Sequence, residues 1–159
     1  MNTEDFKNKV IQGDCLEVMK DIPDKSIDMI LADLPYGTTA CKWDTIIPFE
    51  PLWEQYKRII KDNGAIVLFG SEPFSSALRM SNIKNYKYDW VWEKSHPTGV
   101  ALSKKQPMRY HEFVHLFYIK QPTYNPQMTN GKVNHGDNRY LKENEFLNAE
   151  SQPNMRAIR

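Results

Sequence analysis

The sequence predicts an α/β fold built on a buried, doubly wound sheet, and three observations carry that expectation. Residues 26–32 (SIDMILA) and 65–69 (AIVLF) are short, almost continuous apolar runs, the mark of strands buried on both faces. Segments with helical spacing alternate with them. Both runs stop abruptly, one at Asp33-Leu34-Pro35-Tyr36-Gly37 and the other at Gly70-Ser71. Ligands of such sheets bind beyond the carboxyl ends of the strands, so residues 33–44 and 70–75 are expected on one rim.

The elements follow in order. Residues 9–12 (KVIQ) read as a strand closed by Gly13-Asp14, and Leu16, Val18 and Met19 fall on a short helix ending before Pro23. Leu52, Trp53, Tyr56, Ile59 and Ile60 share one face of a helix over 49–60, with Pro51 in its first turn and Asp62-Asn63-Gly64 as its stop. A further helix is expected over 76–80, after Pro73. Residues 86–93 (YKYDWVWE) and 112–119 (EFVHLFYI) are aromatic and β-branched, which favours strands. Residues 94–111, rich in Lys, Pro, Ser and Gly, read as a long loop. From residue 121 the chain holds too few apolar residues for a core of its own. The expected division is therefore 1–120, a catalytic domain, and 121–159, the start of a further region or an extended arm.

At 159 residues, 40% hydrophobic and 26% charged, the chain has room for one domain with a real core. It has no apolar stretch long enough to span a bilayer, and its charged opening, MNTEDFKNK, does not read as a signal peptide. No membrane partner is expected. Cys15 and Cys41 are too few for a disulfide framework and read as reduced thiols of a cytoplasmic protein. The net charge of +1 conceals an asymmetry: residues 1–83 carry nine Lys/Arg against thirteen Asp/Glu, and residues 84–159 carry twelve against seven. A basic second half suits a polyanion, although ordinary surface scatter gives the same figures.

Asp33-Leu34-Pro35-Tyr36 is the most informative segment. Methylating an aromatic exocyclic amine requires aiming a lone pair that is delocalised into the ring. Two acceptors holding the two amine hydrogens favour a more tetrahedral nitrogen. The Asp33 carboxylate supplies one, the Leu34 carbonyl supplies the other, and the fixed φ of Pro35 pins the backbone between them and Tyr36. The Tyr36 ring then stacks on the base, which must leave the duplex to reach it. A plain strand-ending turn uses the same residue types.

The stretch GDCLEVMKDIPDKSIDMILADLPYGTT…WD resembles the DNA methyltransferases that act on adenine N6 or cytosine N4, and within them the permuted (beta-type) group. The resemblance runs from about Lys9 to Met128. It implies a Rossmann-like fold that uses S-adenosyl-L-methionine on double-stranded DNA, in restriction-modification systems and phages. Asp33, Leu34, Pro35 and Tyr36 match the family's Asp-Pro-Pro-Tyr motif, with Leu34 in place of the first proline. Asp14 and Cys15 match the segment at the cofactor's adenine. Ser71-Glu72-Pro73-Phe74 matches the family's loop after the next strand, Trp92-Glu93-Lys94 and Arg109-Tyr110-His111-Glu112 match segments bordering the DNA cleft, and Tyr124-Asn125-Pro126-Gln127 resembles the opening of target recognition. Ser71, Lys94, Lys104, Lys105, Arg109 and His111 are accordingly the candidate DNA contacts. Adenine N6 is preferred to cytosine N4 as the target.

One family feature is missing. Glycines stand at 13, 37, 64, 70, 99, 131 and 136, so no G-x-G turn exists. His96-Pro97-Thr98 echoes a signature that precedes that turn but stands on the wrong side of target recognition. The chain reads as a C-terminally truncated piece whose sheet lacks the cofactor strand, awaiting a missing half or a second copy. A different class of reading is a non-catalytic nucleic-acid- or protein-binding remnant, and a third is methylation of RNA or a protein amide. A zinc deaminase is excluded by the lack of Pro-Cys-x-x-Cys, and cytosine-C5 methylation by the lack of a cysteine after proline. His96, His111, His115 and His135 lack compact metal-ligand spacing, so no metal is expected. Trp90 and Trp92 share a strand face and read as core, and His115 as a packed or surface residue.

Overall fold

A computed structural model describes residues 5–130 and 155–157. The chain divides into two compact units, Met1–Thr123 and Tyr124–Arg159. In the first, the order is α1 (Cys15–Lys20), β1 (Ile27–Ala32), α2 (Phe49–Ile59), β2 (Ile60–Gly70), α3 (Phe74–Ser81), β3 (Tyr86–Thr98), a 3-10 turn at Val100–Leu102, and β4 (Arg109–Phe117). In the second, β5 (Met128–Asn130) pairs antiparallel with β6 (Met155–Ala157).

Local chemistry sets the helix ends. The Asp14 carboxylate accepts from the Leu16 N–H at 2.8 Å and caps α1, with Glu17 in the first turn and Lys20 in the last, each suited to the helix dipole. In α2, Leu52, Trp53, Tyr56 and Ile59 are buried at i, i+1, i+4 and i+7. That helix stops at Ile59, three residues before Asp62, because Ile60 is already extended (φ −71°, ψ 140°) and begins β2. Gly64 sits where an added Cβ would lie 2.8 Å from the Asp28 carbonyl and 2.6 Å from the Ile60 side chain, so only glycine lets β1 and β2 close here.

The sheet has the order β1-β2-β4-β3. β1 and β2 are parallel, with Ile30 opposite Ile66 and Ala32 opposite Leu68, and α2 makes the crossover between them. The other two pairings are antiparallel, so the sheet is mixed. One cluster joins Met19, Leu52, Trp53, Tyr56, Ile59, Phe74 and Leu78 of the three helices to Ile66, Leu68 and Phe117 of the sheet. Every one of those sheet residues projects to the same side.

This corrects several sequence expectations. The helices of the first unit cover one sheet face, so the sheet is not doubly wound. The opposite face carries exposed Met29 and Leu31 on β1 and exposed Tyr88, Trp90 and Trp92 on β3, with Val67 and Leu116 buried on the central strands between them. Residues 26–32 are therefore buried on one side only, and Trp90 and Trp92 are surface rather than core. Residues 9–12 form no strand, and Val10 is fully exposed. A strand needs a neighbour for its N–H and C=O groups, and among the described residues none lies beside it. The segment 94–111 is a loop only over 99–108: β3 runs to Thr98, which pairs with Arg109, so the two ends of the expected loop belong to a hairpin. Ladder pairing outweighs the loop-like composition there. No described helix is long and apolar enough to cross a membrane.

Candidate active site

The loop after β1 turns sharply, and each of its side chains takes a distinct role. Leu34 enters the core at 9% exposure. Asp33 stays exposed and accepts a hydrogen bond from the Tyr36 hydroxyl, 2.8 Å from its Oδ1. Among the described residues Asp33 makes no ion pair. One face of the Tyr36 ring stacks on Phe74 of α3, with centroids 5.0 Å apart and planes at 24°. Burial, followed by the Asp33 hydrogen bond, pushes the Tyr36 hydroxyl far above its ordinary pKa, so it stays a donor.

Gly37 follows with φ +66°, a left-handed conformation that favours glycine, and an added Cβ there would meet Ile46 at 2.9 Å. Asp44 then closes the loop. Its carboxylate accepts three backbone N–H groups: Gly37 at 2.8 Å, Thr38 at 2.9 Å and Thr39 at 2.7 Å. Hydrogen bonding, with Thr39 foremost, holds its pKa down to about 2. Asp33, Leu34, Pro35, Tyr36, Thr38, Thr39, Trp43 and Asp44 line a shallow hollow of about 130 Å³. From the sequence, Asp44 only closes the stretch that carries the family resemblance, with no role attached to it. Its physical signal is an acid a few residues beyond a turn whose backbone donors need an acceptor.

Other expected site residues are placed less directly. Asp14 caps α1 and Cys15 begins it; neither lines the hollow. Burial and the neighbouring Asp14 charge raise the Cys15 thiol pKa. Ser71 is buried, and its hydroxyl accepts a hydrogen bond from Arg109, which also donates to the Glu72 carbonyl at 3.1 Å. Ser71 thus braces Arg109 instead of facing outward. Lys94 is engaged in an ion pair with Glu112, whose charge in turn reaches Tyr36. Lys104 and Lys105 are exposed beyond the 3-10 turn, and His111 is exposed with its ring edge-on to Phe113 at 5.3 Å.

Behind the rim lies a cluster that the sequence did not disclose. His115 is fully buried, with Nε2 2.9 Å from the Ser75 hydroxyl and Nδ1 3.9 Å from Asp89. Burial, then the Arg79 charge, lowers the His115 pKa, so it is neutral at pH 7. Ser75 is itself fully buried, so the hydrogen bond joins α3 to β4 and offers no nucleophile to a substrate, while Nδ1 is buried without a hydrogen-bond partner among the described residues. Among the described residues no group of three or more His, Cys, Asp or Glu is placed to hold a metal ion.

Several known proteins are similar to this chain. Type II methyltransferase M.HinfI of Haemophilus influenzae is 32% identical over an alignment of 124 residues that takes in 60% of this chain and 34% of that protein. M2.MboI of Moraxella bovis, also a Type II methyltransferase, is 28% identical over 121, covering 60% of this chain and 44% of its own. The M1.HpyAVI–SAM complex superposes with a TM-score of 0.54 at 20% identity, over 77% of this chain and 61% of that one. The fold is a partial methyltransferase fold. PvuII DNA methyltransferase, cytosine-N4-specific, supports it with a TM-score of 0.54 at 14% identity, over 81% of this chain and 58% of its own. No family model matches. The chain spans between a third and a half of the length of the curated relatives it matches.

Proposed function

We propose that this chain is the amine-holding part of a site-specific DNA amino-methyltransferase of the permuted group, moving methyl from S-adenosyl-L-methionine to an exocyclic amine. Adenine N6 is put ahead of cytosine N4. The observation that carries the reading is the Asp33 side chain: exposed, without an ion pair among the described residues, and lining a hollow whose next wall is Tyr36. The Tyr36 hydroxyl orients the carboxylate through Oδ1. Oδ2 then accepts one amine hydrogen, and the Leu34 carbonyl accepts the other. The Tyr36 face turned from Phe74 meets the flipped base. Arg109, steadied by Ser71, contacts DNA phosphate, with Lys94, Lys104, Lys105 and His111 as further contacts.

The described residues do not enclose the methyl donor. The hollow of about 130 Å³ falls below the roughly 300–1,000 Å³ of a small-molecule pocket, and Asp14 already spends an oxygen on the α1 cap. The exposed Met29 and Leu31, on the face of β1 turned from the helices, support the same conclusion. In this proposal the donor half, with its glycine-rich turn, comes from further polypeptide that covers that face, in a cytoplasmic enzyme. Asp14 and Cys15 then border the donor's adenine end.

The test supplies that half, taken from a Type II relative, and measures labelled methyl incorporation into random-sequence duplex DNA, with digestion to nucleosides to separate N6-methyladenine from N4-methylcytosine. Asp33→Ala is expected to reduce incorporation by at least about a hundredfold, on the order of a lost proton-handling group. Unchanged incorporation would refute the role. The remnant reading draws on the same small hollow and the absent G-x-G, and predicts DNA binding with no incorporation even after complementation.

A further inference from the structure

The backbone around Trp43 is fixed while its side chain is left in solvent. The Asp44 N–H donates to the Cys41 carbonyl at 3.0 Å, and the Asp44 carboxylate, in a residue only 8% exposed, binds the three N–H groups that follow Tyr36. The turn is thus tied on both sides of position 43. Yet the indole is 74% exposed and forms part of the wall of the hollow that Asp33, Pro35 and Tyr36 line. Single exposed apolar residues are ordinary on protein surfaces. A large aromatic side chain on a pinned turn, lining one hollow with a carboxylate and a tyrosine, is a different arrangement. Its backbone ordering is complete before any ligand arrives, so a ligand that covers the ring keeps most of the contact energy.

The geometry points to Trp43 as a second nucleobase-contacting residue, besides Tyr36. This rests on the amine-methylation reading, because Asp33 is then the group that takes the amine edge. A planar ring entering the hollow has its edge at Asp33 and its π-face available to the indole. Indole carries a donor and no acceptor, so it adds stacking and no competing hold on the amine hydrogens.

The test uses the full chain and a single-stranded oligonucleotide carrying one 2-aminopurine, which avoids the cost of opening a duplex. Fluorescence anisotropy reads affinity and 2-aminopurine emission reads stacking. The wild type is expected to bind and quench. Trp43→Ala is expected to weaken binding about tenfold and remove most of the quench, in line with base–aromatic stacking. Its melting temperature should match the wild type, because an exposed side chain is lost. Loss of affinity in Asp33→Asn with none in Trp43→Ala overturns the Trp43 assignment and leaves the methylation reading standing. Failure of the wild type to bind the oligonucleotide overturns the Trp43 assignment, while the methylation reading stands or falls on incorporation by the complemented enzyme. Displacement of the oligonucleotide by millimolar tetramethylammonium overturns the assignment in favour of a cation site framed by the indole and Asp33.

Discussion

Asp44 shows how one side chain organises a loop that has no regular structure. Three N–H groups converge on its carboxylate, and hydrogen bonding lowers its pKa to about 2 from the ordinary 3.8. A depressed carboxyl pKa adds stability above the unfolded value and loses it as pH falls through the folded one. Thermal melts should therefore show Asp44→Asn clearly less stable than wild type at pH 7, with the gap closing between about pH 4 and pH 2. A constant gap across that range would remove the charge from the explanation. His115 invites a parallel experiment. Ser75→Ala leaves a buried ring nitrogen without its partner, and the expected cost is about 1–3 kcal/mol in a denaturant titration. His115 was read from the sequence as packed or surface, and the structure settles on packed, because its partner stands forty residues away on α3. Separation of that kind leaves no local pattern to read.

At the scale of elements, β1 and β2 illustrate why apolar content alone does not measure burial. Leu68 on β2 is fully buried against the helices, and Leu31 on β1 is 58% exposed on the opposite face. In protein dilute enough to be monomeric, Leu68→Ala is expected to cost about 2–5 kcal/mol, the range for an emptied core leucine, and Leu31→Ala within about 0.5 kcal/mol, as for a surface change. Comparable losses at the two positions would show that the opposite face is covered in solution. The helices were legible because their amphipathic spacing and caps are local: α2 and α3 fall within three residues of the sequence expectation at each end. The strand over 9–12 and the two ends of the loop over 94–111 were misread because strand identity depends on a neighbouring chain. One segment lacks such a neighbour among the described residues, and the other has one in Arg109–Phe117.

For the whole molecule, the proposal of a divided site has two consequences. Titration calorimetry of the chain alone with S-adenosyl-L-methionine should show no saturable heat at millimolar concentrations, and binding should return with the complementing half. The exposed Met29, Leu31, Tyr88, Trp90 and Trp92 should also drive self-association, which Leu31→Lys reduces in sedimentation velocity. Tight donor binding by the chain alone would overturn the divided site. By itself the sequence determined the helical faces, the order of the first strands and the four-residue turn that ends β1, since each is written in contiguous residues. Tertiary structure decided the rest: which sheet face is covered, that Tyr36 leans on Phe74, that Ser71 holds Arg109, and that Asp44 gathers the loop. Those outcomes depend on groups brought together by folding, and pairing across space leaves little trace in the spacing of residues along a chain.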